Sequence, residues 1–329
     1  MIESWGNFEG EPVHRVRIAG GGLTARVITW GAVLQDLRMD GVDHPLVLGF
    51  ERFDAYPDRS PFFGAIAGRV ANRIARGRFP LDGRTVELAT NPGSPHTLHG
   101  GPGGMGKRPW RLQDHGADFV LLAITDPDGL NGFPGTVEVT CRYTLTDGAL
   151  HVALDATTDA PTPVNLAHHT YWNLDGSADA RDHVFTSGAT RFGEVDADFI
   201  PTGRTPPVEG TRFDFRTPRR LRDATAQGIV DHNLVLADAR APRREVARLE
   251  AGGLALAVSS TEPGLQLYAG HKLNGLEGGL DGRRYGPHAG IALEPQLWPD
   301  AVNQPHFPSM ILRPNQRYEQ RTTFRLERL

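Results

Sequence analysis

Between residues 136 and 157 every second residue is apolar. Val137, Val139, Cys141, Tyr143 and Leu145 alternate with polar neighbours, Asp147-Gly148 interrupts, and Leu150, Val152, Leu154 and Ala156 resume the alternation. Successive side chains of a strand point to opposite faces, so this pattern predicts a hairpin with one buried face. A helix would scatter the same apolar residues around its axis. Residues 245–260 predict a second hairpin, turning at Gly252-Gly253. Shorter extended runs are expected at 14–18, 23–28, 119–125, 290–294 and 318–326. The only helical signal is residues 221–227, after Thr217-Pro218. The chain's 39 glycines and 25 prolines, spread without a period, supply the turns such strands need. The expected fold class is all-β, a large antiparallel sandwich or barrel with few short helices. No linker-like stretch divides the chain, so residues 1–329 are expected to form one domain.

Composition excludes several functions. The charge of −4 is near balance, which argues against nucleic-acid binding, where clustered positive charge is needed. Cys141 is the one cysteine, so no internal disulfide forms, and its place in a strand pattern makes it a small core residue. No basic, then apolar, leader is read in residues 1–10, and no run approaches the roughly 18 apolar residues of a membrane span. A soluble cytoplasmic protein is expected, with no membrane partner, as a monomer or homodimer.

Chemistry belongs to the segments that are polar, aromatic and irregular at once. These are GRVANR at 68–73, HTLHGG at 96–101, NLAHHTYWNL at 165–174, VDHN at 230–233 and LEPQLWPDAVNQPHFPS at 293–309. Among the thirteen histidines, His96, His99, His168, His169, His232 and His306 fall there. An imidazole exchanges protons near neutral pH, its ordinary pKa being about 6.5. Any one of them taken alone is more often a packed or solvated histidine. Their company with Arg73, Asp231 and Glu294 in Gly/Pro-rich loops shifts the reading toward function. His96 and His99 have the spacing of a ligand pair, but no H-E-x-x-H or Cys pair accompanies them, so metal-free acid–base chemistry ranks above metal catalysis. The run GPGGMGKR at 101–108 matches G-x-G-x-x-G and the start of a P-loop. Both motifs need a strand before and a helix after, and Arg108 stands where a P-loop needs Ser or Thr, so both matches are accidents of a Gly-rich turn. No G-x-S-x-G elbow is present, which argues against a serine hydrolase.

Together these segments resemble the aldose 1-epimerase (galactose mutarotase) family. The matching stretches are LGF at 48–50, FG at 63–64, GRVANRIARGRF at 68–79, LHGG at 98–101, NLAHHTYWNL, FDFR at 213–216, DHN at 231–233, LEPQ with PD, VNQP and FPS from 293 onward, and LRPNQ at 312–316. They cover nearly the whole chain in order. The resemblance implies a large antiparallel β-sandwich, or supersandwich, with a sugar cleft across one face. It implies interconversion of the α and β anomers of free aldoses such as galactose and glucose, with no metal and no organic cofactor.

The resemblance also implies roles. Glu294 matches the base that takes the C1 hydroxyl proton, and His169 the general acid at the ring oxygen. His169 is expected to be protonated while Glu294 is ionised, their attraction favouring that state. His99 matches a second histidine near the ring oxygen. Arg73 and Asp231 match residues that hold sugar hydroxyls, with Asn72 a supporting contact. Gln266, in a PG-x-Q turn at 263–266, is expected to line the cleft. Trp172, Trp298 and Phe307 are either an apolar wall for the sugar's C–H faces or core. His168 stands where the family usually has Asn, Ala167 and Thr170 replace Thr and Ser, and Gly104-Met105-Gly106 departs from Gly-Phe. These departures bear on which sugar is preferred, not on the proton-transfer groups.

Two other readings stay open. A non-catalytic sugar-binding protein on the same scaffold predicts loss of the acid–base pair, which the sequence retains. An epimerase for a pentose or hexose 6-phosphate predicts added basic residues in the cleft, for which Arg76, Arg78, Lys107 and Arg108 are candidates. A glycosidase would want two carboxylates rather than one carboxylate and an imidazole.

Overall fold

The computed structural model describes residues Met1–Leu329. Its centre is a nine-stranded sheet, entirely antiparallel, built around the two predicted hairpins. In order across the sheet it contains Arg111–His115, Phe119–Asp126, Val137–Thr146, Ala149–Thr158, Tyr318–Arg328, Leu254–Ser260, Arg244–Ala251, Val184–Ser187 and Arg219–Arg220. The closing strand Tyr318–Arg328 lies between the hairpins and joins them. Both hairpin turns place two residues at positive φ, Asp147 and Gly148 at 50° and 70°, Gly252 and Gly253 at 58° and 73°. That geometry matches the right-handed twist of the strands they join.

A second antiparallel sheet has five strands, ordered Tyr171–Trp172, Ile291–Gln296, Gly264–Tyr268, Asp231–Val235 and Arg191–Phe192. A four-stranded meander, Ile2–Phe8, Glu11–Gly20, Leu23–Ile28 and Val33–Met39, completes the scaffold. The alternating apolar residues of all three sheets meet in one continuous core. Val139, Tyr143 and Leu154 come from the large sheet, Leu265 and Leu293 from the second, and Val16 and Val27 from the meander. Cys141 is fully buried within it. This is the expected all-β supersandwich, and the two hairpins and five extended runs fall where the alternation puts them.

The helices depart from expectation in length and number. The 221–227 segment is helical over Leu221–Thr225 and ends in turn hydrogen bonds at Gln227 and Gly228. A second helix, Ala55–Arg59, is missed by pattern reading because five residues are too few to display a 3.6 period and Pro57 reads as a breaker. Pro57 is tolerated because it sits in the first turn, where its missing N–H has no partner to lose. No helix is long and apolar enough to cross a membrane.

Candidate active site

Strand register places the floor of a cleft. Asn233 lies opposite Gln266, and Gln266 opposite Glu294, in one row across three neighbouring strands. Asp231 lies opposite Tyr268 in the next row. The period of two sends Leu234, Leu265, Leu267 and Leu293 into the core and turns Asp231, Gln266, Tyr268 and Glu294 to the other face, where they line a cleft of about 720 Å3. Gln266 Nε2 donates to Asp231 Oδ1 at 2.6 Å, which fixes both groups.

The same alternation separates the histidine pair. Ala167–His169 pairs with Ala65–Ala67. His168 turns inward, packs on Tyr143 and Phe324, and has Nε2 2.9 Å from Thr170 Oγ1. His169 turns into the cleft, where its Nε2 stands 3.6 Å from Glu294 Oε1. Both are buried.

The side wall comes from two tiny paired strands, Arg73–Ile74 and Thr97–Leu98, with Arg73 opposite Leu98. Beside them Asn72 and His99 both adopt left-handed φ, 62° and 52°. They hold each other: His99 N–H donates to the Asn72 carbonyl at 3.0 Å, and Asn72 N–H donates to His99 Nδ1 at 3.2 Å. The second bond requires Nδ1 unprotonated, so a neutral His99 carries its proton on Nε2 and is a donor there. Asn72 Oδ1 accepts from Arg73 N–H at 2.8 Å. Gly100 follows at φ 85°, and any Cβ there would strike the Gly68 carbonyl, so the first glycine of LHGG is a requirement of close backbone approach, while Gly101 meets its left-handed φ of 88°.

Burial dominates the electrostatics. It pushes the Glu294 carboxyl well above the usual range, the nearby Asp231 charge adds to this, and Arg73 opposes it. It pushes His169 down to about 4 and holds His99 well below its ordinary value, where His169 and Arg73 also act. Burial of the pair therefore favours its neutral members and opposes the mutual attraction that an ion pair would gain.

The structure thus brings Glu294, His169, His99, Arg73, Asp231, Asn72 and Gln266 together in one cleft. The aromatic wall is different from that considered. Trp172 is fully buried against Phe324 in the core. Trp298 and Phe307 pack on each other in an adjoining compartment. The wall consists of Phe62, Tyr171 and Tyr268 instead. Phe62 lies 4.6 Å from the His99 ring and 5.9 Å from the His169 ring, and Tyr171 lies 5.1 Å from His169. A signal for Tyr171 was present, since it lies two residues from His169 in the NLAHHTYWNL motif. Phe62 carries none, being placed by a φ of 65° in a loop.

Other histidines lie apart from the floor. His96 Nδ1 accepts from Arg76 N–H at 3.0 Å, so His96 and His99 do not converge on one point. His306 Nε2 meets the Gly203 carbonyl at 2.7 Å on the surface, and His232 packs on Phe213.

Chemically, the cleft offers a carboxyl and an imidazole 3.6 Å apart, with hydroxyl-binding groups alongside. A carbon bearing two oxygens spans such a pair, since its oxygens lie closer together than a hydrogen bond is long. The pair can then give a proton to one oxygen and take one from the other.

Comparison with known proteins gives consistent matches. The family model described as aldose 1-epimerase matches residues 14–325. A galactose mutarotase of Bos taurus is 40% identical over 326 residues, covering 95% of this chain and 94% of its own. An aldose 1-epimerase of Escherichia coli (strain K12) is 35% identical over 336 residues, covering 96% of each. The solved structure of an aldose epimerase homologue from C. elegans superposes with a TM-score of 0.90 at 32% identity, covering 96% of this chain and 99% of that one.

Proposed function

The chain belongs to the aldose 1-epimerase family, and from that premise we propose that it is an isomerase that interconverts the α and β anomers of free aldoses. A neutral aldose of galactose or glucose type binds with C1 over the Glu294–His169 pair. Arg73, Asp231, Gln266 and Asn72 take the remaining hydroxyls. Five guanidinium donors and a carboxylate acceptor suit neighbouring hydroxyls, and Phe62, Tyr171 and Tyr268 cover the C–H faces.

In the ring-closed complex the pair is carboxylate and imidazolium. Glu294 takes the proton from the C1 hydroxyl while His169 Nε2–H gives its proton to the ring oxygen. The C1–ring oxygen bond breaks, C1=O forms, and the pair becomes carboxyl and imidazole. Rotation about C1–C2 presents the other aldehyde face, and the same transfers in reverse close the ring. No charge is created in the cycle, because one proton leaves the pair as another enters. Burial raises Glu294 and lowers His169, which strengthens the carboxylate as a base and the imidazolium as an acid. His99 donates to the ring oxygen and shares the charge that develops there.

The observation that carries the reading is the 3.6 Å contact between His169 Nε2 and Glu294 Oε1 on a buried floor. The test is polarimetric equilibration of fresh α-galactose with the wild type and with Glu294→Gln. Equal rates for the two remove Glu294 from the mechanism. A panel of glucose, galactose, arabinose and glucose 6-phosphate then ranks the sugars.

A further inference from the structure

Arg73 is the only group of the hydroxyl-binding set whose side chain has no polar partner in the protein. Its backbone is tied by Asn72, but its guanidinium donates no hydrogen bond and has no carboxylate within ion-pairing distance. A flexible arginine left to solvent would spend binding free energy on ordering its side chain. What it does touch is an aromatic ring. The Arg73 guanidinium carbon lies 5.3 Å from the centre of the Phe199 ring.

Phe199 stands at the tip of a turn that is fastened at every point. Asp196 Oδ1 accepts from Asp198 N–H at 2.9 Å and Ile200 N–H at 3.0 Å, Phe199 N–H donates to the Asp196 carbonyl at 3.1 Å, and Asp196 N–H to the Ile200 carbonyl at 2.9 Å. The turn holds Phe199 at a φ of 61°, a left-handed conformation that a bulky residue rarely adopts. Such a conformation persists only where its surroundings over-determine it, and it gathers at functional sites. The ring is also stacked at 29° on His271, 6.5 Å away, and carries the Lys272 ammonium at 5.6 Å.

We propose that Phe199 is a positioning residue for the proposed anomer exchange, holding the Arg73 guanidinium over the cleft by a cation–π contact. The ring does what a carboxylate could not. It fixes the guanidinium plane without consuming any N–H donor, so all of them stay free for sugar hydroxyls. A carboxylate partner would occupy the fork that the substrate needs. The adjacent Asp231 is held instead by Gln266, which leaves acceptor and donor side by side and separately anchored.

The test compares Phe199→Leu, which keeps an apolar residue but no π face, with Phe199→Tyr, which keeps the ring. Phe199→Leu is expected to raise KM for galactose roughly tenfold, with kcat within about twofold, and Phe199→Tyr to restore wild-type values. In an Arg73→Gln background Phe199→Leu is expected to have no further effect, because the two act through one contact. A crystal structure of Phe199→Leu is expected to show the Arg73 side chain displaced or in several rotamers. The assignment is overturned if Phe199→Leu matches the wild type in KM, if its effect is undiminished in the Arg73→Gln background, or if Arg73 keeps its place without the ring. The assignment rests on the aldose reading, and a wild type inactive on free aldoses overturns that reading, while the position of Arg73 in the Phe199→Leu crystal still decides the contact itself.

Discussion

His169 Nε2 and Glu294 Oε1 stand 3.6 Å apart with both side chains buried, on strands that come together only in the folded sheet. Replacing Glu294 by Gln removes the proton acceptor and keeps the shape. The expected result is a fall in kcat of roughly 10²- to 10⁴-fold, the range for one acid–base group, with KM little changed. The variant should melt no lower than the wild type, since an acid whose charge is disfavoured by burial is replaced by a neutral amide of the same shape. Polarimetry and calorimetry on the same sample check both. A lowered kcat with a lowered melting temperature would point to damaged packing rather than lost chemistry.

The pH profile follows from the two opposed shifts. The pair works with one proton between its members. As pH falls toward the His169 value of about 4, the imidazole gains a second proton beside a carboxyl that already has one, and the base is lost. As pH rises through the elevated Glu294 value the pair loses its only proton, and the acid is lost. Asp231 raises Glu294 and Arg73 lowers it, so Asp231→Asn should move the alkaline limb of kcat/KM to lower pH and Arg73→Gln should move it to higher pH. Both variants also weaken sugar binding, so the limb positions, not the amplitudes, decide. Shifts in the same direction would refute this assignment of the alkaline limb.

Alternation made the scaffold legible. Where one face is buried, a one-residue slip would expose every apolar side chain, so the 136–157 pattern specifies both the hairpin and its register. The same rule separates His168 from His169, because neighbours on one strand must face opposite ways. The aromatic wall was not legible in this way. Phe62 reaches the two histidines from a loop residue at a φ of 65°, and no periodicity reports on it. Trp298 and Phe307 lie in a motif rich in polar residues, yet they pack on each other beside the cleft, because large aromatics are buried wherever a sheet end leaves room. The burial that opposes the ion pair was not legible for a related reason, since sequence names the partners of an ion pair but not how much water they keep.

His168 supplies an acid-stability prediction independent of catalysis. Burial between Tyr143 and Phe324 pushes it down to about 3, against about 6.5 in an unfolded chain. Between those values the unfolded state binds a proton that the folded state refuses, so stability is lost as pH falls through this window. One such group contributes up to about 1.4 kcal/mol per pH unit. His168→Asn removes that proton uptake and should flatten the fall in urea midpoint between pH 6 and pH 4, with His99, His169 and His232 still titrating. Parallel curves for variant and wild type would show that His168 does not take up the proton.

Arg69 sits four residues before Arg73 in the same motif and does a different job. It is fully buried, with the Phe133 ring 5.2 Å from its guanidinium. It donates to Asp126 Oδ2 at 2.8 Å, to Thr162 Oγ1 at 2.9 Å and to the carbonyls of Pro134 and Gly135 at 2.8 and 2.9 Å. Its own carbonyl accepts from Asn165 N–H, and the Asn165 carbonyl accepts from Ala71 N–H, so the backbone that delivers Asn72 and Arg73 is tied to this anchor. Arg69→Met fills the space but leaves those carbonyls bare and Asp126 with Arg108 alone, and should cost about 3–5 kcal/mol in urea unfolding. Arg69→Lys keeps the charge and loses the planar fork, and should fall between the two. If the folded fraction of Arg69→Met also loses kcat/KM while Arg69→Lys keeps it, the anchor sets the site geometry as well as stability. A loss below about 1 kcal/mol in Arg69→Met would mean that water replaces the guanidinium, and that the buried arginine is dispensable to the fold.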